Sequence, residues 1–407
     1  MTKAGVAFTI AGFLGYFVAS QTQIGWLYLF DAVIWGILLL SAFIPWYSLR
    51  SLSVDRQVLL PRAGFGSLSL DGPLEDETVE VRLRVTSHGR FPRYFVSLLE
   101  ECPFDRPEER RKAFFLTCLP PGSTTAFSYT ADCYQRGYYP SADIMLSSGA
   151  PLGLFRKRRC FSLPLRLTVY PRYFLMDSLP FAVESWAEQG HAVRSSAAGE
   201  FYGSREYHSG DPFKHIHWRN TARTGQFMLK QFEQSGQGSV SVIFSANRVF
   251  GEGRETTLEY SLRVAASLAG LCAASGRGVD IIAGTEPLHN AGWPEAMHYL
   301  ARLETGAGKT LPELLPAVAP GKTVVAVVPV ADPDSIPALE LLAGRAGGLF
   351  AVLLEGFSPE EDAAAFTSRM QGCNITVVRC PLNNLEDAIR KLGKSLASVG
   401  GLSMVTR

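Results

Sequence analysis

The chain has 407 residues, 47% of them hydrophobic, and a formal net charge of +1 from 39 Lys and Arg against 38 Asp and Glu. That length fits two or three domains, and so even a charge balance excludes a global polycationic signature, so no nucleic-acid partner is expected. Seven cysteines stand without a C-x-x-C pair or a Cys/His metal spacing, a pattern that reads as free thiols in a reducing compartment.

Residues 4–20 carry no charge, and residues 26–46 carry only Asp31. Each run is close to the ~20 residues that cross a hydrocarbon layer. The polar Gln21-Thr22-Gln23 between them predicts a transmembrane helical hairpin over residues 1–50. Trp26, Trp46 and Tyr47 fall where interfacial aromatics belong. Asp31, about one turn into the second run, reads as interfacial. A cleaved signal peptide is disfavoured, because no small-residue cleavage site is present and a second apolar run follows at once. Lys3 precedes the first run, Arg50, Arg56 and Arg62 follow the second, and the turn has neither Lys nor Arg. The positive-inside rule then places both ends, and the rest of the chain, on the cytoplasmic side of the bilayer.

Residues 51–172 read as β. Val79, Val81, Leu83 and Val85 alternate with Glu80, Arg82 and Arg84, and Leu163, Leu165, Leu167 and Val169 repeat the pattern. Period-2 alternation marks half-buried strands. With turn signals at Ser87-His88-Gly89, Pro120-Pro121-Gly122 and Ser148-Gly149, it predicts an antiparallel β-sandwich. Arg156-Lys157-Arg158-Arg159 is a dense basic cluster. It reads as a solvated hairpin tip, with anionic lipid headgroups as the alternative contact.

Residues 173–238 form a connector, helix-like near 181–189, that ends in a dense run of arginines, carboxylates and aromatics. Ser209-Gly210-Asp211-Pro212 reads as a tight turn. Beyond it, Ile216 and Trp218 share one face of a short extended piece, with His215 and His217 on the other. The run holds Arg205-Glu206-Tyr207, then Gly210-Asp211, Ile216-His217-Trp218 and Ala222-Arg223. This order and spacing resembles the signature of the bacterial DUF58 family. The resemblance implies two membrane helices, a β-rich domain, the signature and a von Willebrand A-like domain, in the inner membrane of a bacterium. It also implies work beside a MoxR-type AAA+ ATPase in the assembly or maturation of other proteins. It implies no known reaction.

From residue 239 to 407 the pattern becomes α/β. Strands over 240–244, 279–283, 322–330, 349–354 and 375–378 alternate with helices over 255–275, 293–303, 337–346, 359–370 and 385–396. Alternation of this kind predicts a doubly wound parallel sheet. The fold expected is therefore α+β and multi-domain: hairpin, antiparallel β-sandwich, then an α/β domain that is von Willebrand A-like by the resemblance.

The candidate chemistry is sparse. Von Willebrand A domains often hold a divalent metal through Asp-x-Ser-x-Ser after the first strand, where hard oxygen ligands are needed. Here Ser245 stands in place of the Asp and Asn247 in place of the first Ser, with Arg248 alongside, so a degenerate loop without metal is expected. Asp332 and Asp334 follow a strand at its carboxyl end and read as a turn and helix cap before Ser335. Thr305 to Thr310 looks like the end of a P-loop, but Leu303 stands where that motif needs Gly and no strand precedes it. It reads as a flexible loop. His215 and His217 lack a third ligand. Asn374-Ile375-Thr376 matches a glycosylation sequon that a bacterial cytoplasm would not use. Glu206 and Asp211, close to Arg205, Arg219 and Arg223, read as ion-paired architecture clamping the two soluble domains. The alternative is a hydrolase using Asp211, Glu206 and His217 in a groove between them. No catalytic residue, metal or cofactor is assigned.

Overall fold

The computed structural model describes residues 2–60, 69–176, 200–206, 218–233, 240–306, 308–330, 332, 335–358, 363–373 and 375–401. The chain is a mixed α/β protein in two compact units, Met1–Arg172 and Tyr173–Arg407.

The first unit opens with two helices, α1 (Lys3–Thr22) and α2 (Gly25–Ser48), each long and apolar enough to cross a membrane. The Thr2 side chain accepts from the Gly5 N–H to start α1, and Gln23, at φ 51, ends it with its N–H on Ala19 O. Small residues let the pair approach: a Cβ on Gly12 would meet Ile34 and Trp35 at 3.4 Å. Phe13 packs edge-on against Trp35, ring centroids 5.1 Å apart. Asp31 packs against α1. It is six residues past the start of α2, about 9 Å along the axis. It is 6% exposed and turned to Gly15 of α1.

Seven strands follow: β1 (Leu52–Leu59), β2 (Thr78–Ser87), β3 (Arg93–Glu101), β4 (Arg111–Leu119), β5 (Thr124–Asp132), β6 (Gly137–Ser148) and β7 (Lys157–Val169). They form a sheet of order β1-β2-β5 and a sheet of order β4-β3-β6-β7, antiparallel throughout. The alternation read at Val79, Val81, Leu83 and Val85 points inward, where these residues share one core with Val96, Leu98, Ile144 and Leu146 of the other sheet. Arg56 joins this interior. Its Nε lies 2.6 Å from Glu100 Oε1, the two side chains 2% and 1% exposed. Arg56, counted in the sequence among the basic residues that follow the second apolar run, is thus paired inside the two-sheet body. Burial pushes the Glu100 carboxyl up, and the Arg56 charge only partly offsets this.

The second unit begins, among the described residues, with the antiparallel pair β8 (Glu200–Glu206) and β9 (Met228–Glu233), separated by α3 (Trp218–Thr224). There follow β10 (Val240–Ile243), the ribbon β11 (Gly251–Glu252) and β12 (Glu255–Thr256), α4 (Thr257–Ala274), β13 (Val279–Ile282), β14 (Leu288–Ala291), α5 (Trp293–Arg302) and α6 (Leu311–Leu314). The chain continues through β15 (Thr323–Pro329), α7 (Ser335–Ala343), β16 (Gly348–Glu355), α8 (Ala363–Gly372), β17 (Thr376–Pro381) and α9 (Leu385–Gly401). The main sheet has the order β14-β13-β10-β15-β16-β17. All its pairs are parallel except β13–β14. A wholly parallel sheet was expected. The antiparallel edge strand escaped the sequence because Leu288-His289-Asn290-Ala291 is short, and His289 and Asn290 are exposed. Strands β10, β13 and β16 are buried on both faces along almost their whole length, which explains their continuous apolar runs.

One buried charge spans three strands. Asp280 accepts from Ser241 Oγ at 2.9 Å, from Lys322 Nζ at 2.5 Å and from the Asn290 N–H at 2.8 Å. Burial alone would raise its pKa, but the bond from Lys322, the Asn290 N–H, the Lys322 charge and the Ser241 hydroxyl together hold it below the ordinary range.

Candidate functional site

In the main sheet the chain leaves β10 through α4 toward β13 on one side, and leaves β15 through α7 toward β16 on the other. Adjacent strands whose crossovers diverge open a crevice at their carboxyl ends, the usual ligand position in open α/β sheets. Here that position is bounded by the loop after Ile243 and the residues after Pro329.

Ser245 and Asn247, expected from the sequence to form a degenerate metal-site loop, lie on the first of these. The Ser245 hydroxyl donates to Lys309 O at 3.1 Å and accepts the Asn247 N–H at 3.2 Å. Arg248 crosses to the second: its Nη1 lies 3.0 Å from Asp332 Oδ1, the guanidinium side chain 57% exposed and the carboxylate 15%. Asp332 does act at the start of α7, its carbonyl taking the Ser335 hydroxyl at 2.6 Å, but its carboxylate belongs to Arg248. Asp334 lies outside the described residues. A guanidinium thus neutralises the carboxylate that a cation would otherwise seek, and Ser245 Oγ is engaged with backbone. Among the described residues, no three of His, Cys, Asp and Glu are grouped to hold a metal ion.

The glycine-rich stretch after α5 is pinned to this site. The Gly306 N–H donates to Ala246 O at 2.9 Å and the Lys309 N–H to Gly284 O at 3.4 Å. At Gly308, φ is +138 and an added Cβ would stand 2.7 Å from Gly284 Cα. Gly308 serves the close approach of two backbones. The segment ends in a capping box. The Thr310 N–H meets Glu313 Oε2 at 2.8 Å, a bond that holds the Glu313 carboxyl low.

Beside it lies a cleft of about 280 Å³, bordered by Glu286, Tyr299, Arg302 and Glu304. The Tyr299 hydroxyl is 2.5 Å from Ala283 O and 2.9 Å from Glu286 O, and burial pushes its pKa up to about 12. Farther along the same edge, Arg379 grips Glu355 with two bonds, of 2.5 and 2.8 Å. Among the described residues, the carboxyl edge is therefore faced with the arginine–carboxylate pairs Arg248–Asp332 and Arg379–Glu355. The sequence did not reveal Arg248–Asp332, because 84 residues separate the partners.

The signature residues are placed only in part. Arg205 and Glu206 lie on β8 in register with Leu229 and Met228 of β9; their side chains lie outside the described residues. Tyr207, Gly210, Asp211 and Ile216 lie outside them as well, as do His215 and His217. Trp218 does not continue an extended piece, as expected, but opens α3, where it is 66% exposed. Ala222 and Arg223 lie on the same helix and are exposed. The Met228 N–H donates to Thr221 Oγ1 at 3.0 Å, tying the helix to β9. The connector helix expected near 181–189 falls outside the described residues.

The chain is 30% identical over 113 residues to YeaD, an uncharacterised protein of Bacillus subtilis (strain 168). The match covers 26% of this chain and 28% of that relative. Among solved structures, the sporulation control protein Spo0M of Bacillus subtilis is 14% identical, with 39% of this chain and 58% of that one covered at a TM-score of 0.15. An exo-β-N-acetylglucosaminidase of Vibrio harveyi is 10% identical, with 84% and 75% covered at a TM-score of 0.21. Overlaps this poor carry no argument about fold or activity. The sequence match is of another order: residues 203–296, from β8 through the switch-point loop into α5, match the family described as "Protein of unknown function DUF58".

Proposed function

We propose that the chain is a membrane-anchored interaction module. In this reading α1 and α2 form a two-pass anchor in the inner membrane of a bacterium, with both ends cytoplasmic. The two-sheet body is an antiparallel sandwich. The second unit is a von Willebrand A-like domain whose carboxyl edge meets proteins, and its partner is a MoxR-type AAA+ ATPase acting in the assembly or maturation of other proteins. The resemblance of the signature motivates the choice of partner.

The observation that carries the proposal is the Arg248–Asp332 pair at the sheet's switch point. It puts a fixed pattern of opposite charges where a metal or small ligand would otherwise sit. Across protein interfaces, such charge patterns select partners and set association rates more than they add raw affinity. The test is affinity capture of the full chain from native membranes, with and without ATP. Recovery of an AAA+ ATPase in a nucleotide-dependent manner is expected. Its absence under both conditions overturns the proposed partnership.

A further inference from the structure

The ends of the helical pair are fixed to the two-sheet body without slack. At the start of α1, the Thr2 N–H donates to Leu154 O at 3.0 Å and Thr2 Oγ1 to Gly153 O at 2.9 Å. At the end of α2, Arg93 Nη1 donates to Tyr47 O at 2.6 Å and Arg159 Nη1 to Leu49 O at 3.3 Å. Only residues 49–51 separate α2 from β1. Three extended residues reach about 10 Å. The headgroup layer is roughly 5–7 Å deep on each side of the hydrocarbon. An α1 of 20 residues spans about 30 Å, which is the hydrocarbon thickness. A bilayer crossed by both helices therefore brings its headgroups onto the loops between β2 and β3 and between β6 and β7.

Those loops suit that contact. Phe91 is 63% exposed and Leu152 is 56% exposed, each at a loop tip beside a helix end. Phe91 stands edge-on to Tyr47, centroids 6.2 Å apart. Arg50, Arg90 and Arg156 are exposed around them, and none forms an ion pair among the described residues. Arg50 lies over the Trp46 ring at 5.2 Å. Apolar tips ringed by unpaired cations match a layer of acyl carbons beneath phosphates.

We infer that this end of the two-sheet body is a second membrane-binding surface, specific for anionic phospholipid. Phe91 and Leu152 insert at the headgroup level while Arg50, Arg90 and Arg156 pair with lipid phosphate. The inference rests on the membrane-anchor reading of α1 and α2. It makes the body a fixed part of the membrane surface instead of a domain on a tether.

The test is hydrogen–deuterium exchange of the full chain in nanodiscs of phosphatidylcholine alone or mixed with phosphatidylglycerol. Residues 88–95 and 150–158 are expected to exchange about fivefold more slowly with phosphatidylglycerol present. A Phe91→Ser, Leu152→Ser, Arg156→Glu variant is expected to lose that protection while both helices stay protected. Equal exchange in the two lipid mixtures, or in variant and parent, with the helices protected, overturns the lipid surface and leaves the anchor standing. Free exchange of the helices themselves overturns the anchor and the surface together.

Discussion

Arg248 reaches Asp332 across the place in the six-stranded sheet where neighbouring crossovers diverge, Nη1 to Oδ1 at 3.0 Å. The guanidinium is more than half exposed, so the pair adds little stability, on the order of 1 kcal/mol or less. Its consequence is electrostatic. The carboxylate offered to the crevice is already neutralised, and the neighbouring Ser245 contributes a hydroxyl where a metal loop would contribute a charge.

Placing a carboxylate at 245 and removing the Arg248 guanidinium should create a cation site. In a Ser245→Asp, Arg248→Ala variant, millimolar Mg²⁺ is expected to raise the thermal midpoint by a few degrees, as any ligand of the native state does. The parent protein is expected to show no shift. An equal rise in both proteins would show that Arg248 does not occupy the cation's place.

Acid should act through Asp280. Its folded pKa is held low by Lys322, Asn290 and Ser241. A depressed carboxylate pKa contributes stability that is fully present above the unfolded value, near 4, and is lost as pH falls through the folded value. Asp280→Asn should therefore lose about 2 kcal/mol at pH 7 in denaturant unfolding. The gap between variant and parent should narrow below about pH 4. A constant gap from pH 7 to pH 3 would contradict the assignment.

Gly308→Ala should be costly although the position is neither helical nor in the core. Its backbone has φ +138 and an added Cβ would lie 2.7 Å from Gly284 Cα, against Gly284 backbone with no flexible side chain to yield. A loss of about 2 kcal/mol or more is expected. A variant as stable as the parent in urea would show that the approach of Gly308 to Gly284 does not constrain the stretch.

Arg93 is 2% exposed, donates to Tyr47 O and stacks over the Tyr47 ring at 3.9 Å. Replacing it with Ala should cost about 2–4 kcal/mol in detergent-solubilised protein, combining a charge-assisted bond with a desolvated cation–π contact. Arg93→Lys should recover less than half of that, since an ammonium cannot both stack and donate in a plane. Full rescue by Lys, read in chemical denaturation, would mean that only the charge counts.

Much of the fold was legible because burial has a period. Val79 to Val85 alternated, and the structure puts that stripe in the core shared by the two sheets. The helix–strand alternation after residue 239 gave the parallel sheet except its edge, where β14 is too short and polar to carry a pattern. Helix α4 was legible at Leu258, Leu262, Ala265 and Leu268, yet the structure buries nearly its whole circumference, Arg263 included. A one-sided stripe cannot forecast that. That Asp31 faces Gly15 of α1 was not legible, because spacing from a helix end says nothing about which neighbour the side chain meets.

By itself, then, the sequence determined the two apolar helices, the period-2 and period-3.6 segments and the signature run. Each is a property of residues close in the chain, where sterics and hydrophobic periodicity act locally. Only the tertiary structure decided that Arg56 lies inside against Glu100, that Arg248 meets Asp332, that Asp280 draws on Ser241, Asn290 and Lys322, and that Gly308 touches Gly284. Apart from the ten residues between Asp280 and Asn290, these contacts join positions 24 to 84 residues apart. Loop closure and burial bring such partners together, and any one arginine, carboxylate or glycine looks the same in the sequence whichever partner it finds.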